Sequence, residues 1–351
     1  MPAATELLLQ DPAMAAATAY TMAMTMSGLL HRGETHGAVE YHPAVREVGK
    51  FATWMLSGMN PKEWELVHRV HHAFTDREPN EEQWEDLQWL YPGSPKDVWQ
   101  DGHSPIRTSH LHILGKNGPE YRKAANHIVP YVQDLEERAV PREEWPPHLA
   151  MVDLSKNWMD RHLYDRKHAG VEGLTFFGAT LMVGMAVKDH SVVQGIENTL
   201  IIESIHIPAV LGVGGIVNAA GHLGTAKGFI PKMRVMLGKD APVPNEASIF
   251  DPLKAFAGDE EKLEEWFAMS PGQQYAASWG KDFRYASNFF EPVESIAVGE
   301  PDHGDHHAHP DEAFISSMTN PLRDPVGVMI RGMEHVKVGG RPLAVAHTNR
   351  R

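Results

Sequence analysis

Cysteine is absent from this chain, positive charge is in the minority, and strongly hydrophobic runs are short. The absence of cysteine excludes disulfides, thiolate metal sites, iron–sulfur clusters and a cysteine nucleophile. The formal net charge is −14, from 46 acidic and 32 basic residues, and this excess of negative charge argues against a nucleic-acid partner. Because the chain has no cysteine thiolate, any bound metal must be held by nitrogen and oxygen atoms.

The uncharged segments of the chain do not have the composition of membrane-spanning helices, which need about 20 apolar residues. Residues 12–30 are mostly Ala, Thr and Met, residues 173–187 form a short run, and residues 204–221 contain His206. The mean hydropathy of −0.35 is that of a soluble protein. The first residues include acidic but no basic side chains, unlike a secretory signal. We therefore expect buried core helices in a cytoplasmic protein, soluble or peripherally membrane-associated rather than integral.

One histidine pattern, H-x-x-H-H, occurs twice, at residues 68–72 and 303–307. With 22 His among 351 residues, chance predicts roughly 0.1 copies of this pattern. Positions i, i+3 and i+4 share one face of a helix, so a helix over 64–74 directs the first triplet to one point. Neutral imidazole is a common ligand of first-row metals. The candidate ligands are His68, His71, His72, His303, His306 and His307, with an upstream pair, His31 and His36.

Hydrophobic periodicity predicts a mostly helical protein, and no alternating stretch is long enough to predict a sheet. We expect one catalytic domain over 1–332, with polar, insert-like segments at 81–147 and 225–280, followed by a basic, mobile tail at 333–351. The Asn60-Pro61 pair is a helix start signal. Helices are predicted over 13–41, 44–57, 149–167, 174–187, 196–218 and 287–298, and over a segment that begins at 61 and stops near 76–80.

The histidine boxes and the residues around them resemble the integral membrane fatty-acid desaturases, the acyl-CoA type in particular. That family carries H-x4-H, H-x2-H-H and H-x2-H-H in this order. Here the first box lies at 31–36, the second in HRVHHAFTD at 68–76, and the third in GEPDHGDHHAHP at 299–310. The VNAAGH segment at 217–222 is similar to the family's N-x-x-x-H. The resemblance implies a helical bundle with a histidine-box di-iron site, here with reduced hydrophobic segments.

The resemblance also implies which residues form the site, and it implies no catalytic residue beyond the two iron ions, which would cycle between Fe2+ and Fe3+. Asn218 would hold a metal-bound water. The nine ligands would be His31, His36, His68, His71, His72, His222, His303, His306 and His307. Carboxylates are expected to accept the free N–H groups of such ligands. The candidates for that role are Asp76, Glu300, Asp305 and Glu34.

The implied function is that of an O2-dependent non-heme di-iron oxidase. It would desaturate an acyl chain or a small metabolite, beginning with hydrogen abstraction from an unactivated C–H bond. The chain has no heme-binding cytochrome b5 signature, so the electrons would come from a separate donor, a ferredoxin or similar protein with its reductase.

Three alternatives remain at this stage. The same site would also serve a hydroxylase or monooxygenase, or the chain is a non-catalytic, histidine-rich metal-binding protein. A ferritin-like carboxylate bundle would use E-x-x-H helices. Pro301 within 300–303 argues against such a helix, and this last alternative leaves His71, His72, His306 and His307 unexplained.

Overall fold

A computed structural model describes residues 2–75, 79, 81–104, 109–154, 156–164, 171–221, 260–269, 306, 313–314 and 324–347. This part of the chain is mostly helical, as predicted. Its α-helices are α1 (Pro2–Met24), α2 (Pro43–Ser57), α3 (Pro61–Phe74), α4 (Glu81–Leu90), α5 (His110–Glu137), α6 (Pro147–Ala150), α7 (Trp158–His162), α8 (Val171–Lys188), α9 (Val192–Gly221), α10 (Glu260–Ala268) and α11 (Pro325–His335). Helix α1 continues directly into a π-helix, Thr25–Thr35. The short strands are β1 (Val39–Tyr41), β2 (Lys337–Val338), β3 (Arg341–Pro342) and β4 (Ala344–Ala346).

The helix predictions succeeded where capping or apolar composition is strong. Asn60 accepts hydrogen bonds from the N–H groups of Lys62 and Glu63, and Pro61 takes the first helical position, so α3 begins where predicted. The apolar segments 174–187 and 196–218 are helical, within α8 and α9. The polar segment 81–147 contains two further helices, α4 and α5. The helix expected over 287–298 lies outside the described residues.

Two predicted helices are interrupted in the structure. The single helix expected over 13–41 is instead α1, the π-helix and β1 in succession. The helix expected over 149–167 is wrong except for the short α6 and α7. Asn157 and Asp160 form a capping box that starts α7 afresh, because each side chain bonds the other's backbone N–H.

The expected mobile tail is ordered in the structure as far as residue 347. Strand β4 pairs antiparallel with β1, so that Val39 lies opposite Ala346 and Tyr41 opposite Ala344. Strands β2 and β3 form a hairpin whose turn places Gly339 and Gly340 at positive φ. The chain therefore returns to its N-terminal third, where β4 pairs with the strand that follows the first histidine box.

The largest hydrophobic core lies between α3 and α5, with Phe74, Ile128 and Trp145 among its fully buried members. A smaller core lies under the π-helix, where β1, β4 and α11 meet. Between them, Arg32 is fully buried and donates to both carboxylate oxygens of Asp324, at 2.9 and 3.1 Å, and to the carbonyl of Ala313 at 2.9 Å. These bonds join the π-helix to the start of α11.

Helices α8 and α9 form an apolar hairpin against α1 and α5. Several of their large side chains are nevertheless exposed, among them Val183, Val187, Val192, Val193 and Leu200. The expectation of buried core helices is therefore wrong for these faces. In the described part of the chain one helix, at Val192–Ile216, is long and apolar enough to cross a membrane, with a mean hydropathy of 1.6. Length and composition alone make this weak evidence, because core helices meet the same test.

Replacing Asp324 with Ala should lower the free energy of unfolding by about 3–5 kcal/mol, because the Arg32 guanidinium would be left buried without its carboxylate. The same change removes the cap that accepts from the N–H of Gly327 at 2.8 Å. Urea unfolding followed by circular dichroism measures the effect. The control is Asp134→Ala, which breaks the exposed Asp134–Arg138 pair and should cost less than about 1 kcal/mol. If the two variants lost the same free energy of unfolding, the buried Arg32–Asp324 pair would stabilise the protein no more than the exposed pair, contrary to this prediction.

Candidate metal centre

Five histidines from three separate parts of the chain meet at one point. One ring nitrogen of each lies within 4.8 Å of the others, in His31, His36, His68, His72 and His306. Nε2 of His31 lies 2.7 Å from Nε2 of His68 and 2.8 Å from Nε2 of His306. A third pair, His306 and His72, is separated by 3.2 Å. The structure therefore brings five of the nine sequence-predicted ligands together, two from the first H-x-x-H-H triplet and one from the second.

The π-helix places the first two histidines. In an α-helix, residues five apart are rotated by about 500° and point in different directions. In a π-helix the hydrogen bond runs over five residues, and here the N–H of His36 donates to the carbonyl of His31 at 3.1 Å. The two rings consequently lie one turn apart, with centroids 4.8 Å from each other. The H-x4-H spacing matches this turn, which the sequence-based helix prediction missed.

Helix α3 supplies the next two ligands by ordinary helical spacing. His68 and His72 are four residues apart, and their ring centroids are separated by 4.5 Å. Trp64, one turn earlier, stacks on His68 with a centroid distance of 4.3 Å and nearly parallel planes. Arg69 donates to the carbonyl of Thr35 and so ties α3 to the end of the π-helix.

Close packing holds the π-helix against β1. A Cβ on Gly33 would lie 2.5 Å from Cε2 of Tyr41, so a larger residue at this position would displace the ring. The hydroxyl of Tyr41 donates to the carbonyl of Gly28 at 3.0 Å. These two contacts of Tyr41 hold the π-helix, and with it His31 and His36, in a fixed position relative to β1.

The environment of His36 and His68 within the five-histidine cluster favours neutral imidazole. Burial lowers the pKa of His36 well below its ordinary value, and the neighbouring His31 and His306 lower it further. Burial also lowers the pKa of His68, followed by the effects of His31 and His36. In addition, Nε2 of His36 is buried and has no hydrogen-bond partner among the residues that the structure describes. Neutral rings with lone pairs directed inward are the form in which histidine binds a metal.

His71 has a different set of neighbours from the other histidines of its triplet. Its Nδ1 lies 2.9 Å from Oδ2 of Asp101 and 2.7 Å from Oγ1 of Thr75. Thr75 also donates to Oδ2 of Asp101 at 2.8 Å. Asp101 and His103 complete a second group in which one ligand atom of each residue lies within 4.8 Å of the others. All three histidines of the first triplet were predicted to converge on one point. His68 and His72 do so in the five-histidine cluster, whereas His71 belongs to the group with Asp101 and His103.

Asp101 and His103 form a buried ion pair. Burial raises the pKa of Asp101, but His71 and His103 outweigh that effect and hold it well below its ordinary value. Burial lowers the pKa of His103, but the hydrogen bond and the charge of Asp101 more than compensate, so the net shift is upward.

The remaining predicted site residues fall into two sets. Asn218 donates to Oδ1 of Asn117 at 2.9 Å, between α9 and α5. Glu34 pairs with Arg46 at 2.5 Å and with Lys50 at 3.9 Å, so its described partners are cations on α2. Six predicted residues lie outside the described part of the chain: His222, His303, His307, Asp76, Glu300 and Asp305.

Sequence reasoning missed Asp101 and Thr75 as partners of a candidate ligand. A local signal for Asp101 exists, because its Oδ1 accepts from the backbone N–H of His103 at 2.9 Å, a bond typical of Asp in a D-G turn. His206, expected to be a core histidine, is fully buried and bonds the carbonyl of Leu56 at 2.7 Å.

The five-histidine cluster has the donor chemistry of a metal site. Nitrogen separations of 2.7 to 3.2 Å are close to about 3 Å, the distance between adjacent ligands around an octahedral ion with bonds of about 2.1 Å. Imidazole suits iron, zinc, copper and nickel alike, so the cluster fits iron without selecting it. No protein-family model, no curated protein and no solved structure matches this chain.

Acidification should destabilise the metal-free protein. The unfolded chain takes up protons at histidine below about pH 6.5, whereas the buried, folded forms of His36 and His68 resist protonation. The free energy of unfolding should therefore fall as the pH drops below about 6.5, by at most about 1.4 kcal/mol per pH unit for each such group. Urea unfolding in the presence of a chelator, from about pH 5 to about pH 8, measures the slope.

His36→Gln should reduce this slope. His127→Gln is the matched control, because the side chain of His127 is 49% exposed and lies outside the cluster. The control should retain the wild-type slope. A slope that is the same in all three proteins would show that the cluster does not resist protonation.

Proposed function

We propose that this protein is an O2-dependent non-heme di-iron oxidase that desaturates an acyl chain or a small metabolite. The observation that carries the proposal is the meeting of five imidazoles, three buried and two half-buried, from both H-x-x-H-H triplets and the H-x4-H pair. Residues 31, 68 and 306 are far apart in the sequence, so their contact supports a common ligand set. The resemblance to desaturases supports iron as the metal and a second ion bound through the remaining histidines.

The protein's own residues would bind and shield the metal ions. Iron, when bound, supplies the capacity to activate O2 for the oxidation of an unactivated C–H bond. The neutral histidines would leave the positive charge of the ions uncompensated within the five-histidine cluster, which favours anionic partners nearby. Trp64 covers the ring of His68, and the core between α3 and α5 lies behind the cluster. These apolar groups would limit the access of water.

The proposed reaction balances with an external electron donor. Desaturation removes two hydrogen atoms from adjacent carbons, and O2 takes these together with two electrons and two protons to form two water molecules. The electrons would come from a ferredoxin and its reductase. Hydroxylation by the same site would insert one oxygen atom into a C–H bond and release one water molecule for the same two electrons. The position of the substrate relative to the metal ions would decide between the two outcomes.

Iron loading and O2 consumption test this proposal. Protein reconstituted anaerobically with Fe2+ should hold two iron ions per chain, and it should consume O2 when given ferredoxin, reductase, NADPH and an acyl-CoA or acyl-carrier-protein substrate. His72→Ala removes one of the clustered donors and should lower iron affinity by at least about tenfold and abolish O2 uptake. His127→Ala changes a half-exposed histidine outside the cluster and should retain both properties.

The same experiment separates the alternatives. Variable iron content without O2 consumption would favour a non-catalytic, histidine-rich metal-binding protein. An alcohol product in place of an alkene would assign the chain as a hydroxylase. A fully di-iron sample that consumes no O2 with any candidate acyl substrate would contradict the oxidase proposal.

The proposed location is cytoplasmic, with the protein either soluble or peripherally bound to a membrane. Exposed apolar side chains on α8 and α9 would be the contact surface in the bound state. We expect recovery in the soluble fraction, or release from membranes by alkaline carbonate without detergent. The described part of the chain has one apolar helix of spanning length, so release by detergent alone would contradict this assignment.

A further inference from the structure

Asp101 accepts four hydrogen bonds although its side chain is only 2% exposed. Two were described above, from Nδ1 of His71 at 2.9 Å and from the hydroxyl of Thr75 at 2.8 Å, both to Oδ2. The other two reach Oδ1, from the backbone N–H of His103 at 2.9 Å and from its Nδ1 at 3.1 Å. A carboxylate offers about four acceptor positions, so these donors satisfy it as an anion.

This arrangement determines the tautomer of His71. An ionised carboxylate can only accept, so the hydrogen of the His71 ring is on Nδ1. Thr75 gives the same result, since its single hydrogen is directed to Asp101 and its oxygen is left to accept from Nδ1 of His71. A neutral ring with its hydrogen on Nδ1 carries its lone pair on Nε2. This is the form in which a histidine binds metal through Nε2 while its other nitrogen donates to a carboxylate.

His71 is also next to the five-histidine cluster. Its ring centroid lies 5.5 Å from that of His68 and 5.8 Å from that of His72. The two neighbours share its helix, α3, so the spacing between these rings is set by the helix itself. An Nε2 lone pair on His71 would thus extend the donor set of the cluster.

His103 acts as the counter-charge rather than as a ligand. Its Nδ1 faces Asp101, and its Nε2 lies 3.1 Å from the carbonyl oxygen of Asn117. Both neighbours of the ring are acceptors, so His103 donates from both nitrogens and has no lone pair for a metal. The side chain of Asn117 in turn accepts from Asn218, so the network reaches from α3 through α5 to α9.

We propose that Asp101 is a positioning residue that accepts from Nδ1 of His71 and so holds this ring in the metal-binding tautomer, while His103 donates to the other carboxylate oxygen. The proposal rests on the proposed function, because it assigns His71 to the same metal centre. Asp101 itself touches neither metal nor substrate. Its effect passes through the imidazole of His71 alone.

Asp101→Asn is the test. The amide oxygen would remain with the two donors of His103, and the amide NH2 would face Nδ1 of His71. Facing a donor, this Nδ1 would have to accept the hydrogen bond instead of donating one. The hydrogen of His71 would move to Nε2 and block metal binding there. We expect the affinity for Co2+ or Fe2+, measured by competition with a chelator, to fall about 10- to 100-fold. Two-bond 1H–15N spectra of metal-free protein labelled at histidine should show the change of tautomer directly.

Asp97→Asn is the matched control. Oδ2 of Asp97 lies 2.7 Å from Nδ1 of His127, the same kind of contact at an exposed site outside the cluster. This variant should bind metal as the wild type does. Thr75→Val keeps the shape of the side chain and removes one donor of Asp101. It should weaken metal binding several-fold, and it provides the test if Asp101→Asn fails to fold.

The outcomes distinguish this proposal from the proposed function. Wild-type protein that binds no metal would overturn the function, whereas the tautomer in metal-free protein would still report on Asp101. If the wild type binds metal and Asp101→Asn binds it equally well, the positioning role is wrong. Loss of one bound ion without a change of tautomer would make Asp101 itself a ligand, and this would also overturn the proposal.

Discussion

The mutual approach of five imidazole nitrogens in a buried space is the constraint on which the rest of this structure depends. Lone pairs 2.7 to 3.2 Å apart repel one another unless a proton or a cation lies between them. Burial disfavours the cationic forms of His36 and His68, and neutral rings suit either an N–H···N contact or a bound metal cation. The surrounding helices must therefore hold neutral rings in a position that the rings alone would not favour.

Two arginines tie the helices that bear these histidines to neighbouring parts of the chain. Arg32 follows His31 directly in the π-helix, yet its guanidinium is bound to Asp324 at the start of α11. Arg69 follows His68 directly in α3 and bonds the carbonyl of Thr35. In both cases a histidine of the cluster and an anchoring arginine are adjacent in sequence and make separate contacts. The positive charges are paired with oxygen acceptors, which reduces their repulsion of a metal ion.

The histidines of the site have two electrostatic environments. In the five-histidine cluster, burial and the neighbouring histidines lower the pKa values of His36 and His68. By contrast, the hydrogen bond and the charge of Asp101 raise the pKa of His103. His71 lies between these environments, with Nδ1 on the carboxylate and its ring beside His68 and His72. Within the first H-x-x-H-H triplet, His68 and His72 therefore contact other histidines, whereas Nδ1 of His71 contacts Asp101.

The sequence by itself determined the features that depend on neighbours a few residues apart. The start of α3 follows from Asn60-Pro61, and the convergence of His68 and His72 follows from helical spacing. Only the tertiary structure decided the π-helical turn that joins His31 to His36, the pairing of β1 with β4, the exposure of α8 and α9, and the partnership of His71 with Asp101. Capping and helical periodicity are local interactions that a short segment contains. The other features depend on packing between elements 30 to 300 residues apart, which the chain specifies only once it has folded.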